Sequence, residues 1–146
     1  MKRFKKYLSA EIKIEFKACL YFFAILFFYA VYQLTQGRLY TGIVEMAEII
    51  ITTYIMGYIQ VFPLGNFEEA EHIGKKELAC AFFCMTVYTV LSYLLEWYDR
   101  NTTATILFFL WLLLCYLSIM LVYRIKRDID TEQLNMELED FKSRKR

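Results

Sequence analysis

Residues 106–122 read ILFFLWLLLCYLSIMLV, and this apolar run decides the fold class. It lies inside a longer stretch, residues 101–123, that contains no Asp, Glu, Lys or Arg. An α-helix rises about 1.5 Å per residue, so roughly 20 such residues cross a hydrocarbon core about 30 Å thick. Backbone polar groups in lipid must be hydrogen-bonded within their own segment. The run therefore predicts a transmembrane helix.

Three further stretches without charged residues have the same character, at residues 18–36, 49–67 and 78–95. The chain is 58% hydrophobic, whereas soluble domains are usually about 45–50% apolar. We predict an all-α integral membrane protein built as a bundle of four transmembrane helices. The predicted spans are residues 18–36, 43–63, 78–96 and 103–123.

The segments outside the spans carry most of the charge. Residues 1–17 are basic and place apolar side chains along one side, which is typical of an amphipathic helix on an anionic leaflet. Residues 124–146 form a charged tail that continues the last predicted helix. The domain prediction is therefore an N-terminal segment (1–17), a transmembrane domain (18–123) and a cytoplasmic tail (124–146).

The basic residues predict the orientation in the membrane. They are frequent before the first span, in the loop between the second and third spans, and in the tail. The other two loops each contain one arginine, Arg38 and Arg100. Because cytoplasmic loops carry an excess of Lys and Arg, both termini should be cytoplasmic in a multi-pass protein of the cell membrane. The aromatic residues expected at the membrane borders are Tyr40, Trp97, Tyr98 and Tyr123.

Two carboxylates stand at the start of the second span, Glu45 and Glu48, with Thr52 on the same helical face. An acid near a helix N-terminus is stabilised by the helix dipole, so a structural role is one reading. Ionisable residues inside a membrane usually face the bundle interior or a wet cavity, so a ligand, cation or proton-sensing site is the other. Arg38 and Arg100 are the candidate partners of these acids.

The tail is the best candidate for contact with another protein. Leu134, Leu138 and Phe141 recur at helical spacing, with charged residues around them. Such a helix can dock onto its own loops or onto a partner, or it can serve only as a charged, solubilising tail.

No motif indicates an enzyme. The chain has no phosphate-binding loop, no dinucleotide-binding glycine pattern and no serine in a nucleophile elbow. Its one histidine, His72, has no second histidine to complete a metal site, and all four cysteines lie inside predicted spans. We therefore expect no catalytic residues, no metal and no cofactor. The near-neutral net charge of +1 argues against direct nucleic-acid binding.

Three stretches together resemble a known bacterial family. They are MGYIQVFPLGNFEEAEHIGKKE (56–77), SYLLEWYDRN (92–101) and YRIKRDIDTEQLNMELEDF (123–141). With four short spans and both ends inside, the chain is similar to the membrane protein family called domain of unknown function 3021. The resemblance implies a regulatory role, because such proteins are often encoded beside LytTR-type DNA-binding regulators, and some small membrane partners of such regulators are thought to restrain them. It maps no functional residue onto this sequence.

The sequence leaves three functions open. The first is a non-enzymatic regulator of the bacterial inner membrane that binds a cytosolic DNA-binding regulator and senses an envelope signal. The second is a small ion-coupled transporter, and the third is a structural subunit of a membrane complex. Besides the lipid bilayer, a second copy of the chain is a candidate partner, and the sequence leaves association between copies open.

Overall fold

The computed structural model describes residues 1–145 and contains four α-helices. They are α1 (Lys2–Thr35), α2 (Ile43–Val61), α3 (Lys75–Leu94) and α4 (Thr102–Arg144), with a short 3₁₀ turn at Phe67–Glu69 between α2 and α3. All four helices are long and apolar enough to cross a membrane. The predicted all-α, four-helix transmembrane fold is therefore confirmed. Four crossings leave both termini on one side of the bundle, which we call the inner side.

Local signals in the sequence account for the ends of the helices. The side chain of Asn101 accepts hydrogen bonds from the backbone N–H groups of Thr103 and Ala104 and so caps the start of α4. The Glu77 carboxylate accepts a hydrogen bond from the N–H of Gly74 and so closes the first turn of α3. α2 ends at Val61, two residues before Pro63, which cannot continue the hydrogen-bond ladder.

The first helix is not divided where the N-terminal segment was expected to end, because α1 runs through residue 17 without a break. Ile14 is fully buried against α2, where a Cβ atom at Gly57 would lie only 3.2 Å from its Cγ2 atom. Tyr54 and Tyr58 of α2 donate hydrogen bonds to the Glu11 carboxylate at 2.7 and 2.9 Å. Residues 11–17 therefore pack one face into the bundle through Ile14 and Lys17, whereas the side chains of Ile12 and Phe16 on the other face are exposed.

Aromatic rings make up nearly half of the buried apolar side chains inside the bundle. Tyr21 packs against Tyr116 with ring centroids 4.8 Å apart, and Phe28 packs against Phe108 at 5.5 Å. Large apolar side chains on the outer surface of the helices, such as Phe23 and Leu114, are more than half exposed. Such a surface is unfavourable in water and suits contact with lipid tails.

Candidate functional site

The loop between α2 and α3 does not extend away from the bundle but folds back into its inner end. Gly65 and Asn66 both have positive φ angles, +64° and +56°, which reverse the chain after Pro63. Asn and Gly tolerate this left-handed conformation better than other residues. The reversal buries Phe67 and Glu68 among the helices. We call residues 66–70 the clasp.

The clasp carries a buried ion pair. Nζ of Lys17 lies 2.8 Å from Oε2 of Glu68, and the two side chains are 1% and 0% exposed. The hydroxyl of Tyr21 donates a hydrogen bond to the other carboxylate oxygen, Oε1. Taking two charges out of water is unfavourable unless they are paired and further hydrogen-bonded. The arrangement meets both conditions, and it attaches the clasp to α1.

Lys17 lies in phase with the buried residues of α1. Ile14, Tyr21 and Ile25 are also buried, and their spacing of three or four residues places them on the same face as Lys17. Sequence reasoning counted Lys17 only as a basic residue outside the first span. Its helical phase was the available signal, since a lysine on the core face of a helix needs a buried acid.

A polar layer lies next to the ion pair, deeper in the bundle. Nε2 of Gln60 donates a hydrogen bond of 2.6 Å to the hydroxyl of Tyr116. Tyr88 and Cys84 of α3 are fully buried in the same part of the core. Because every helix contributes a side chain to this region, the inner half of the bundle is held by polar contacts as well as by packing.

The clasp is also attached to α4. The Arg127 guanidinium donates hydrogen bonds to the backbone carbonyls of Glu69, at 2.6 Å, and Ala70, at 3.2 Å. On the other side, Nζ of Lys13 lies 3.1 Å from the Glu69 carboxylate. Burial opposes ionisation of Glu69, but its hydrogen bonds with Asn66 and Lys13 outweigh burial and lower its pKa. The clasp thus connects α1 with the base of the tail.

Substitution of Arg127 should release this second attachment. We expect Arg127→Gln to lower the free energy of unfolding by about 1.5–3 kcal/mol, because it removes a charged donor from two partly buried carbonyls. Trypsin should also cut faster after Lys75 or Lys76, which are both exposed at the start of α3, where the loop ends. Arg124→Gln is the matched control, since Arg124 makes no ion pair or side-chain hydrogen bond among residues 1–145. Equal cleavage of the two variants would contradict the role of Arg127.

At the outer end, Glu48 has a partner that the sequence did not indicate. Nε1 of Trp97 donates a hydrogen bond of 2.9 Å to Oε2 of Glu48, which is half-buried. Thr52 is buried one turn further along α2, and Glu45 lies in the first turn with its carboxylate over Gly42. No hydrogen bond joins Glu45, Glu48 and Thr52 to one another within residues 1–145.

The two arginines pair with other acids than expected. Arg38 lies 3.2 Å from Asp99, and Arg100 lies 2.9 Å from Glu96. Among the described residues neither arginine forms an ion pair with Glu45 or Glu48, so the predicted pairing is not observed. The reason is the conformation of the loop after α3, where Glu96, Asp99 and Arg100 all have positive φ angles and form a compact turn.

The same turn buries two of the aromatic residues that were expected at the membrane border. Trp97 and Tyr98 are each only 1% exposed, whereas the sequence placed them at the headgroup layer. The ring of Tyr98 packs edge-on against Phe28, and the hydroxyl of Tyr32 donates a hydrogen bond to the backbone carbonyl oxygen of Tyr98. These contacts give the turn a role in closing the outer end of the bundle.

The tail continues α4 as one helix to Arg144, and the last residue of the predicted tail, Arg146, lies outside the described residues. Leu134, Leu138 and Phe141 are 59%, 47% and 59% exposed, so they do not dock onto the loops of their own chain. We call these three residues the tail strip. It is an apolar line on a helix whose other side chains are mostly charged or polar.

Within residues 1–145, no group of three His, Cys, Asp or Glu side chains is placed to hold a metal ion. Three features described above bear on function: the clasp, the Glu48–Trp97 contact and the tail strip. No protein-family model, curated protein or solved structure matches this chain.

Proposed function

We propose that this chain is a non-enzymatic regulatory protein of the bacterial inner membrane, which binds a cytosolic LytTR-type transcription regulator and restrains it. The observation that carries the proposal is the exposed tail strip on a helix continuous with the fourth span. Side chains at i, i+4 and i+7 are the usual anchors when a helix binds in the groove of a partner protein. The resemblance described above supplies the class of partner.

The charge around the tail strip supports a basic partner. Residues 128–141 contain six acidic side chains and no Lys or Arg. A DNA-binding domain carries a basic surface that contacts phosphates. An acidic helix with apolar anchors is complementary to such a surface, and its binding there would compete with DNA. Restraint would then follow from occupation of the DNA-binding face as well as from tethering to the membrane.

The outer end is where an envelope signal would act. Glu48 is the acid of the second span that contacts the turn between α3 and α4, through Trp97. A cation or proton that neutralised Glu48 would weaken a charge-assisted hydrogen bond. The turn is directly followed by α4, so a change there is transmitted to the helix that ends in the tail strip.

The tail strip can be tested without disturbing the fold. We expect Leu134→Glu combined with Leu138→Glu to reduce recovery of a LytTR-type regulator from detergent extracts at least tenfold, because both residues are anchors of the interface. Met136→Glu is the matched control, since Met136 is 58% exposed and points to the opposite side of the helix. These substitutions are sharper than deletion of residues 124–146, which would also remove Arg127 from the clasp.

Equal recovery by the two variants would overturn the proposal for the tail strip. An ion flux in proteoliposomes that Glu48→Gln abolishes would favour the transporter instead. Stable co-purification of another membrane protein, unaffected by either tail variant, would favour the structural subunit.

A further inference from the structure

A groove of about 770 Å³ runs between α1 and α4 at the inner end of the bundle. Its walls are apolar toward the membrane interior and charged toward the inner surface. The apolar part is lined by Phe16 and Leu20 of α1 and by Ile119 and Val122 of α4. The charged part is lined by Lys13, Glu69, Lys126, Arg127 and Asp130.

The walls of the groove change from apolar to charged near the end of the apolar run of α4. The apolar run of α4 ends at Tyr123, so Lys126 and Arg127 lie about one turn beyond it. Lys13 lies about two turns from Tyr21, which packs against Tyr116 at the level of the polar layer. The groove therefore extends from the region of the acyl chains to the region of the phosphates, and its side is open to the bilayer.

The charges at the inner end are not fully compensated. Lys126 makes no ion pair within residues 1–145. Arg127 is hydrogen-bonded only to backbone carbonyls, which carry no net charge. The lining contains three cations and two acids, so its ionisable groups sum to +1. A phosphodiester carries one negative charge and matches this excess.

We infer that the groove is a binding site for an anionic phospholipid of the inner leaflet. One acyl chain lies along Phe16, Leu20, Ile119 and Val122, and the phosphate contacts Lys126 and the outward edge of Arg127. Basic pockets between transmembrane helices on the cytoplasmic side are suited to anionic headgroups. A soluble peptide would have to place backbone polar groups against the apolar walls within the bilayer, which is unfavourable.

The site can be tested with the full chain in detergent, by native mass spectrometry during titration with phosphatidylglycerol or with phosphatidylcholine of the same acyl chains. We expect phosphatidylglycerol to bind more tightly than phosphatidylcholine. Lys126→Gln should weaken phosphatidylglycerol binding about fivefold, as expected for one basic residue at a membrane surface. It should weaken phosphatidylcholine binding less, because the choline cation already offsets the charge of that lipid's phosphate. Lys142→Gln, which alters a lysine outside the groove, should leave both lipids unchanged.

A second pair of variants tests the apolar part. Val122→Trp should fill the groove and abolish retention of both lipids. Leu121→Trp introduces the same side chain at a neighbouring exposed position that does not line the groove, and it should bind lipid as the unaltered chain does. The buried thiol of Cys84 should stay unreactive in all variants, which shows that each one is folded.

Equal affinity for the two lipids would overturn the inference, as would unchanged phosphatidylglycerol binding by both Lys126→Gln and Val122→Trp. A second copy of the chain as the occupant would appear as a dimer that Val122→Trp disrupts and added lipid does not. The tail strip is not part of the groove, so failure of lipid binding would leave the proposed partner contact testable by recovery of the regulator.

Discussion

Replacement of Lys17 with methionine is expected to lower the free energy of unfolding by about 3–5 kcal/mol. The substitution removes the counter-ion of Glu68 and leaves a carboxylate buried beside the hydroxyl of Tyr21. Removing one member of a buried pair has effects of this size, because the remaining charge has lost its solvent and its partner. Unfolding by increasing amounts of SDS in mixed micelles, followed by alkylation of Cys84, would measure the change. The other three cysteines would be replaced by serine for this purpose.

Two controls separate the buried charge from other effects of the substitution. Lys13→Met removes a neighbouring ion pair whose lysine is half exposed, and we expect it to change stability by no more than about 1 kcal/mol. The double variant Lys17→Met, Glu68→Met removes both charges and should regain most of the lost stability. If Lys17→Met proved no more destabilising than Lys13→Met, the ion pair would not be the attachment of the clasp.

Replacement of Trp97 with alanine should be comparably severe, at about 3–5 kcal/mol, because a nearly fully buried indole is removed from the outer end. Trp97→Phe keeps an aromatic ring and removes the N–H donor to Glu48, so its effect should be smaller. The same unfolding experiment in mixed micelles measures both variants, and Trp97→Ala should be the more destabilising of the two.

A double-mutant cycle isolates the contact itself. Trp97→Phe and Glu48→Leu should each be destabilising, and together they should be less so than the sum. The expected coupling is about 1.5–3 kcal/mol, as for a hydrogen bond to a charged group. Strict additivity would mean that Glu48 and Trp97 act independently, and the proposed route for an envelope signal would lose its structural basis.

The helices were predictable because the signal for each one is local. A charge-free run of sufficient length requires a helix in lipid, whatever its neighbours are. The start of α4 at Thr102 follows from such a run and from the capping residue Asn101, whereas α2 begins at Ile43, six residues before its charge-free run. For the same reason, the fold class could be derived without any tertiary information.

The contacts that define the candidate sites join distant parts of the chain. Lys17 and Glu68 are 51 positions apart, and Trp97 and Glu48 are 49 apart. Their meeting depends on how helices pack and on turns made by Asn66 and the residues after α3, for which composition gives no signal. A count of charged residues placed Lys17 outside the bundle, because such a count does not distinguish the buried face of a helix from its exposed face.

The unbroken course of α4 has a mechanical consequence. The part beyond Tyr123 is about 30 Å long, and no proline or glycine interrupts it. A straight helix of this length converts a small tilt of its membrane-embedded part into a larger movement at its end. A change of about 10° in tilt displaces the end by about 5 Å. Arg127 attaches α4 to the clasp about one turn beyond Tyr123. The contacts that hold residues 66–70 in place therefore limit how far the end of α4 can move.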